Sequence, residues 1–432
     1  MAAKASTLGL RIAREAFLRA DYDACVEILC GRRGAERDFL LARTYLRMRR
    51  HDDAERVLRA SRAKKRSTWA ALAGAAIGRQ GDTDGARALI EVALATARTL
   101  EERAEARYQR ALLHWMLHET DAASAILENE DFGTFSAVAE ELRAWLAVER
   151  ADYASAIRRF EQAATLAGAD LMVVTASLSN AAIYAREMYI PAVMSGVLHR
   201  VESVARTPYL ELTLYQITRA AAWFAAIDGD FVRAMQQFSA LESFRVERSW
   251  HVFALCDRAY LSLALGEDVN GWLVADQALA LADQLEWETF KGSERVALLY
   301  LANVFALHRP LQAQRCWRRY KAVPEPGPFS AAFRHEPHVE AWEHFTAGLV
   351  EKGLGNPPAA AAHFNRAYSI YRRLGFEWRA VLTLVAQRGV IPDDRTYDEY
   401  IDTVLRRFPN SWLGLIVDRE RRHARAPVTS IA

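Results

Sequence analysis

The sequence predicts an all-α chain, a solenoid of about ten helix pairs finished by a C-terminal helical cap. Three observations predict it. No proline occurs before Pro191, and Ala, Leu, Arg and Glu, which propagate helix readily, dominate that stretch. Apolar residues recur at three- and four-residue spacing, as in Ala42, Tyr45 and Leu46 and again in Ala54, Val57 and Leu58, which puts them on one helix face. Nowhere does an alternating Val/Ile/Thr run lie between turn dipeptides, so strands are not expected.

A recurring unit turns these helices into a repeat. Its cleanest copy runs Ala144-Trp145-Leu146-Ala147, then Ala151-Asp152-Tyr153-Ala154, then Ala156, Phe160 and Ala163. Other copies span Ala73–Ala93, Ala221–Phe238 and Ala347–Ala367. Each has small residues along a first helix, a tight polar turn, then a small residue followed four positions later by a large one. The small side chains let the partner helix approach closely. Gly or Ala followed by Asp or Asn supplies the reversal and an N-cap. These residues resemble the tetratricopeptide repeat. The resemblance implies stacked antiparallel hairpins whose first helices line a concave groove.

In chain order, the small residue of each second helix falls at Cys25, Ala54, Ala86, Ala123, Ala156, Ala234, Gly271, Ala313 and Ala360. Most steps lie near or somewhat above the family's period of about 34 residues. The gap between Ala156 and Ala234 leaves room for one degenerate pair in 167–206, with Pro191 opening its second helix. Cys25 and Gly271 stand where the repeat usually carries Ala. Residues 1–322 therefore read as the repeat array. Val323-Pro324-Glu325-Pro326-Gly327-Pro328 begins a Pro-rich linker loop over 323–329. Residues 330–424 read as the last pair and a helical cap, with helices in 397–407 and 411–422, and 425–432 as a flexible tail.

Composition removes several function classes. Lys plus Arg number 56 against 54 Asp plus Glu, without the basic excess that phosphate neutralisation needs, so direct nucleic-acid binding is not expected. Cys25, Cys30, Cys256 and Cys316 show no CxxC spacing and suit buried free thiols in a reducing compartment. No apolar run approaches the roughly 20 residues of a membrane helix. Arg11, Arg14 and Glu15 interrupt the place of a signal peptide's apolar segment. A cytoplasmic chain without membrane contact is expected.

Catalytic motifs are missing too. In His335-Glu336-Pro337-His338 the histidines are three apart with proline between them, so the segment reads as a loop leading into a helix over 338–353 rather than a metal site. Gly78, Gly81 and Gly85 lack the Lys-Ser/Thr of a phosphate loop, and no nucleophile-elbow pattern occurs. No catalytic residue, cofactor or metal is expected, and an enzyme with dispersed catalytic residues is kept only as an alternative.

The aromatic pattern carries the positive reading. Projecting the register onto the first helices places Phe39, Tyr108, Trp115, Trp145, Trp223, Tyr260, Trp342 and Phe345 at or near groove-facing positions, joined by Arg43, Arg47, Arg79 and Arg219. Aromatics and Arg dominate binding hot spots, although aromatics at helical spacing also serve to pack helices together. The expected function is a non-enzymatic scaffold that binds a protein or peptide segment in the groove. The chaperone-tail-binding subclass of the family grips a terminal carboxylate with Lys and Asn, and the aromatic, aliphatic and Arg candidates here do not fit it.

A second resemblance lies at Ala367-Tyr368-Ser369-Ile370-Tyr371-Arg372-Arg373-Leu374-Gly375-Phe376-Glu377-Trp378-Arg379-Ala380. It is similar to the last helical repeat of large bacterial transcription activators of the maltose-regulator type, in which a repeat sensor precedes a LuxR-type helix-turn-helix. It implies an alternative: a sensor-like half, responding to a small ligand or partner, without the family's DNA-binding domain.

Overall fold

A computed structural model describes residues 2–64, 66–128, 130–287, 295–323, 337–388, 390 and 397–425. Among these residues the chain is all-α, without strand, and is built of tetratricopeptide-like helix pairs. The pairs are α1 (Ala2–Leu18) with α2 (Tyr22–Leu29), α3 (Ala35–Arg47) with α4 (His51–Ala60), and α5 (Ser67–Gln80) with α6 (Thr83–Thr96). Next come α7 (Leu100–Met116) with α8 (Thr120–Glu128), α9 (Ser136–Glu149) with α10 (Tyr153–Leu166), and α11 (Leu171–Met188) with α12 (Pro191–Val201). The last four are α13 (Glu211–Asp228) with α14 (Phe231–Ala240), α15 (Arg248–Leu265) with α16 (Asp268–Ala282), α17 (Val296–Phe305) with α18 (Pro310–Ala322), and α19 (Pro337–Gly353) with α20 (Pro357–Leu374). Three cap helices follow: α21 (Glu377–Arg388), α22 (Asp398–Leu405) and α23 (Trp412–Arg425).

One turn is reused within the pairs. In nine of the ten, the residue before the second helix's N-cap has a positive φ, from Ala20 at 55° and Ala151 at 60° to Gly81 at 106° and Gly229 at 87°. The next residue caps the helix: Asp21, Asp82, Asp152 and Asp230 each accept a hydrogen bond from the backbone N–H three residues on. The fourth residue after the turn is the small one. Its N–H donates to the cap residue's carbonyl, as Ala86 does to Asp82 at 3.1 Å and Ala156 to Asp152 at 2.9 Å. All nine small positions read from the sequence lie in second helices and are buried. Pro191 does open α12, where Met194 stands in the small position, its N–H 3.3 Å from the Ile190 carbonyl.

Close approach explains the two unusual small residues. A Cβ on Gly271 would come within 2.6 Å of the Leu263 side chain of α15, so even Ala is too large there. Cys25 instead sits with its Sγ 3.3 Å from the Thr44 hydroxyl. Cys25, Cys256 and Cys316 are buried free thiols; Cys30, beyond the end of α2, is exposed, unlike the burial expected.

The helices form two compact units, Met1–Ala181 with Arg200–Leu214, and Ala182–His199 with Tyr215–Ala432. Each curls back on itself. Packed helices lie about 8–10 Å apart, so a straight stack would put α3 roughly 40 Å from α11. In unit 1, however, Arg47 at the end of α3 is 3.2 Å from Asp170 just before α11, and Arg43 reaches across α5 to Glu105 of α7 at 2.6 Å. The side carrying the first helices is therefore concave. In unit 2, Arg379 of α21 bonds Glu187 near the end of α11 at 2.8 and 3.0 Å. That curl brings the cap back to the unit's first helix.

No described helix is long and apolar enough to cross a membrane. Residues 324–329 of the Pro-rich loop, His335, Glu336 and the tail from 426 lie outside the described residues. Pro337 and His338 begin α19.

Candidate functional site

On the concave side of unit 1, helical spacing sets the faces. Arg43 and Arg47 are four apart on α3, Glu141 and Trp145 four apart on α9, and Tyr108 and Trp115 seven apart on α7, with Arg79 on α5 between them. Two of the three arginines are matched, Arg43 by Glu105 and Arg47 by Asp170. Arg79 donates only to the Ala75 carbonyl, at 3.0 Å, and meets no carboxylate among the described residues. Burial pulls its pKa below the usual range, and the neighbouring Arg47 pulls the same way while Tyr108 opposes both. Glu141 is pushed up to about 7 by burial, with Arg47 drawing it down and Asp170 adding to the rise. Burial and the same Glu141 raise Tyr108.

The aromatic part of that face is continuous. The Trp115 and Trp145 rings lie 6.2 Å apart, and Trp145 meets Phe160 of α10 edge-on at 5.4 Å. Tyr108 stacks on Phe135 at 6.1 Å. The indole N–H of Trp115 is buried without an acceptor. Phe39 is placed differently. It is 4% exposed and packs among Ala42, Leu58 and Leu72, inside the core between pairs rather than on the open face.

In unit 2 the first helices surround a cavity. Trp223 of α13, Asp257 and Tyr260 of α15, and Tyr300 and Asn303 of α17 line one part of it. Trp342 and Phe345 of α19, Trp378 and Arg379 of α21, and Arg186 of α11 line the rest. Its volume is about 40 Å³. Trp412, the first residue of α23, closes it, with ring contacts to Trp223 at 5.7 Å, Tyr260 at 5.6 Å and Trp378 at 6.0 Å. The chain's own indole thus fills part of the side that carries the first helices of this unit.

Charged groups hold these walls. Arg219 forms a two-pronged ion pair with Asp257, its second contact at 3.2 Å, and lies over Phe253 and Tyr300. Burial opposes the charge on Arg219, but Asp257 together with Tyr300 and Tyr215 outweighs it, and the pKa ends well above the ordinary value. Arg379 is stacked between Trp342 at 4.1 Å and Trp378 at 4.2 Å. Burial would raise Glu187, but Arg379 and Arg186 together hold it well below the usual carboxylate range.

Of the residues projected onto the groove, Trp223, Tyr260, Trp342 and Phe345 meet at this cavity, and Arg219 stands behind Asp257. Arg43, Arg47, Arg79, Tyr108, Trp115 and Trp145 gather on the face of unit 1. Sequence reasoning passed over Tyr300, Trp378, Arg379 and Trp412. Trp378 and Arg379 lie in the segment similar to a sensor repeat, which spans the end of α20, the left-handed Gly375 and the start of α21. Trp412 belongs to no repeat, so no register points to it. Among the described residues no group of three or more His, Cys, Asp or Glu could hold a metal ion.

No protein-family model matches the chain, and no curated protein does. Among solved structures it is similar to a chain of the APC/C hetero-tetramer Cut9-Hcn1, with 14% identity over 96% of this chain and 95% of that one and a TM-score of 0.28. It is also similar to the P58(IPK) TPR domain, with 13% identity over 90% and 99% and a TM-score of 0.26. At such scores the likeness carries no argument, and the fold rests on the helix pairing and the repeated turn.

Proposed function

We propose that this chain is a non-catalytic scaffold that holds a segment of a partner protein against the concave face of unit 1. The segment is apolar and carries a carboxylate. One observation supports this above others: Arg79 is half-buried near Arg47 and Tyr108, without the carboxylate partner that Arg43 and Arg47 each have. A cation near Tyr108 and left unmatched is suited to a partner's acid, since an incoming carboxylate restores the pairing in a partly desolvated place where it counts. The corresponding side of unit 2 is taken up by Trp412 and offers less.

The test is co-purification from the native cell read by mass spectrometry, comparing the wild type with an Arg79→Glu, Tyr108→Ala double variant. Leu100→Ala, on a residue 82% exposed, is the control. A partner retained by the control and lost by the double variant, with unchanged circular dichroism, is the expected result. Equal retention by a folded double variant removes the proposal.

A further inference from the structure

We infer that the tenth helix pair carries an acid-sensitive latch, in which His344 of α19 and His363 of α20 hold the two helices together until both imidazoles are protonated. This does not depend on the reading of unit 1. The rings meet nitrogen to nitrogen, with Nδ1 of His344 3.0 Å from Nδ1 of His363. Their centroids lie 5.3 Å apart, longer than the nitrogen separation by about the two ring radii, so the rings point at each other along one line. A shared metal ion would need both lone pairs to converge to one side of that line, so the contact is an N–H···N hydrogen bond.

One Nδ1 donates and the other accepts. A first added proton can settle on the donor's far nitrogen, Nε2, which leaves the bond intact and makes it charge-assisted. A second has only the accepting Nδ1 left. It would set two N–H groups and two positive charges head to head, so the pair takes up two protons only by coming apart.

The helices leave no slack for this. Phe345 and Phe364, each next in sequence to one of the histidines, meet with ring centroids 6.1 Å apart. One turn on from His344, Gly348 lies so close to Phe364 that a Cβ would come within 2.6 Å of its ring. Both imidazoles are half-buried. Burial, then His363, lower the pKa of His344, and Arg366 acts the same way while Glu340 and Glu343 oppose them. Glu340 accepts from Arg366 of α20 at 2.8 and 3.2 Å, and Glu343 from Tyr320 and Lys321 of α18 at 2.6 and 3.2 Å. Neither acid is left free to offset a second charge. α17 brings no charged residue, and in α21 Glu377, Arg379 and Arg388 pair with Arg407, Glu187 and Asp398. An opened pair titrates at the ordinary 6.5, above His344 in the fold, so the latch is intact above 6.5 and weakens as pH falls below it.

Amide hydrogen exchange on the full chain, read as protection factors at pH 7.5, 6 and 5, tests this. Peptides from α19 and α20 should lose at least tenfold in protection between pH 7.5 and 5. His363→Gln and His344→Gln each keep a side chain that can donate or accept across the contact but leave only one histidine to charge, so each should lose less than threefold. His251→Gln, in α15, is the control: burial lowers the pKa of His251 too, and its replacement should leave the wild-type response of α19 and α20 in place. If one latch variant does not fold, the other carries the test. Unchanged protection in the wild type at pH 5, the same fall in a folded Gln variant of either latch histidine, or a response that disappears with His251→Gln would each overturn the assignment.

Discussion

Glu141 turns the concavity of unit 1 into a dependence on pH. Its pKa is about 7 in the fold against an ordinary 4.5, because burial penalises the charged form. Below 4.5 it is protonated folded or unfolded and costs nothing. Between 4.5 and 7 the unfolded chain ionises first, so stability is lost as pH rises, and above 7 the full penalty is present. Glu141→Gln should therefore melt higher than the wild type at pH 8, with the gap shrinking through that window and gone near pH 4.5. Equal melting temperatures at both ends would contradict the burial argument. Arg219 shows a different balance. Its partner Asp257 is 1% exposed, so Arg219→Met leaves a buried, unmatched carboxylate and should cost about 3–5 kcal/mol in urea unfolding. Adding Asp257→Leu should recover most of that loss. Arg219 could be placed on a groove face from the repeat register. Asp257 could not, because the pairing requires knowing the relative rotation of two first helices, and small-residue spacing says nothing about rotation.

At the scale of the helix pair, the sequence pattern was legible because one turn geometry repeats. It failed where side-chain size broke the rule while the backbone kept it. Met194 stands in the small position of α12 yet makes the same N–H contact as Ala86 and Ala156 do in theirs, so the sixth pair could be located only by its gap and by Pro191. The cap helices were harder still, since α21, α22 and α23 carry no repeat at all. The turn also predicts opposite signs for like substitutions. Ala151 holds a φ of 60° that glycine adopts freely, so Ala151→Gly should stabilise by about 0.5–1 kcal/mol. Gly229 has a φ of 87°, and a Cβ there would come within 2.5 Å of the Asn410 carbonyl oxygen, a backbone atom that cannot swing aside. Gly229→Ala should destabilise by at least the left-handed cost of about 1–2 kcal/mol. Both are read from chemical denaturation midpoints at constant slope, and a shared sign would show that the turn does not control them.

At the scale of a whole unit, a stack in which only neighbouring pairs touch and the observed curl make different claims about distance along the chain. In an open solenoid each repeat touches only its neighbours, and losing the last helix disturbs only the next one in. Unit 2 is built otherwise. From α23, Trp412 contacts rings on α13, α15 and α21, and Arg419 donates to the carbonyls of Leu263 at 3.4 Å and Ala264 at 2.9 Å at the end of α15. None of this follows from repeat spacing, because spacing fixes which helices are consecutive and the twist per pair decides which ones meet again. A chain stopped after Phe408 keeps every repeat and loses these contacts. Amide hydrogen exchange should then speed up across α13 and α15, far earlier in the sequence, as well as in α21. The Trp223 and Trp378 indoles should gain solvent, seen as a red shift in tryptophan emission. If faster exchange were confined to α21 and α22, the cap would be an ordinary end piece, and the buried Trp412 would not be what closes the cavity.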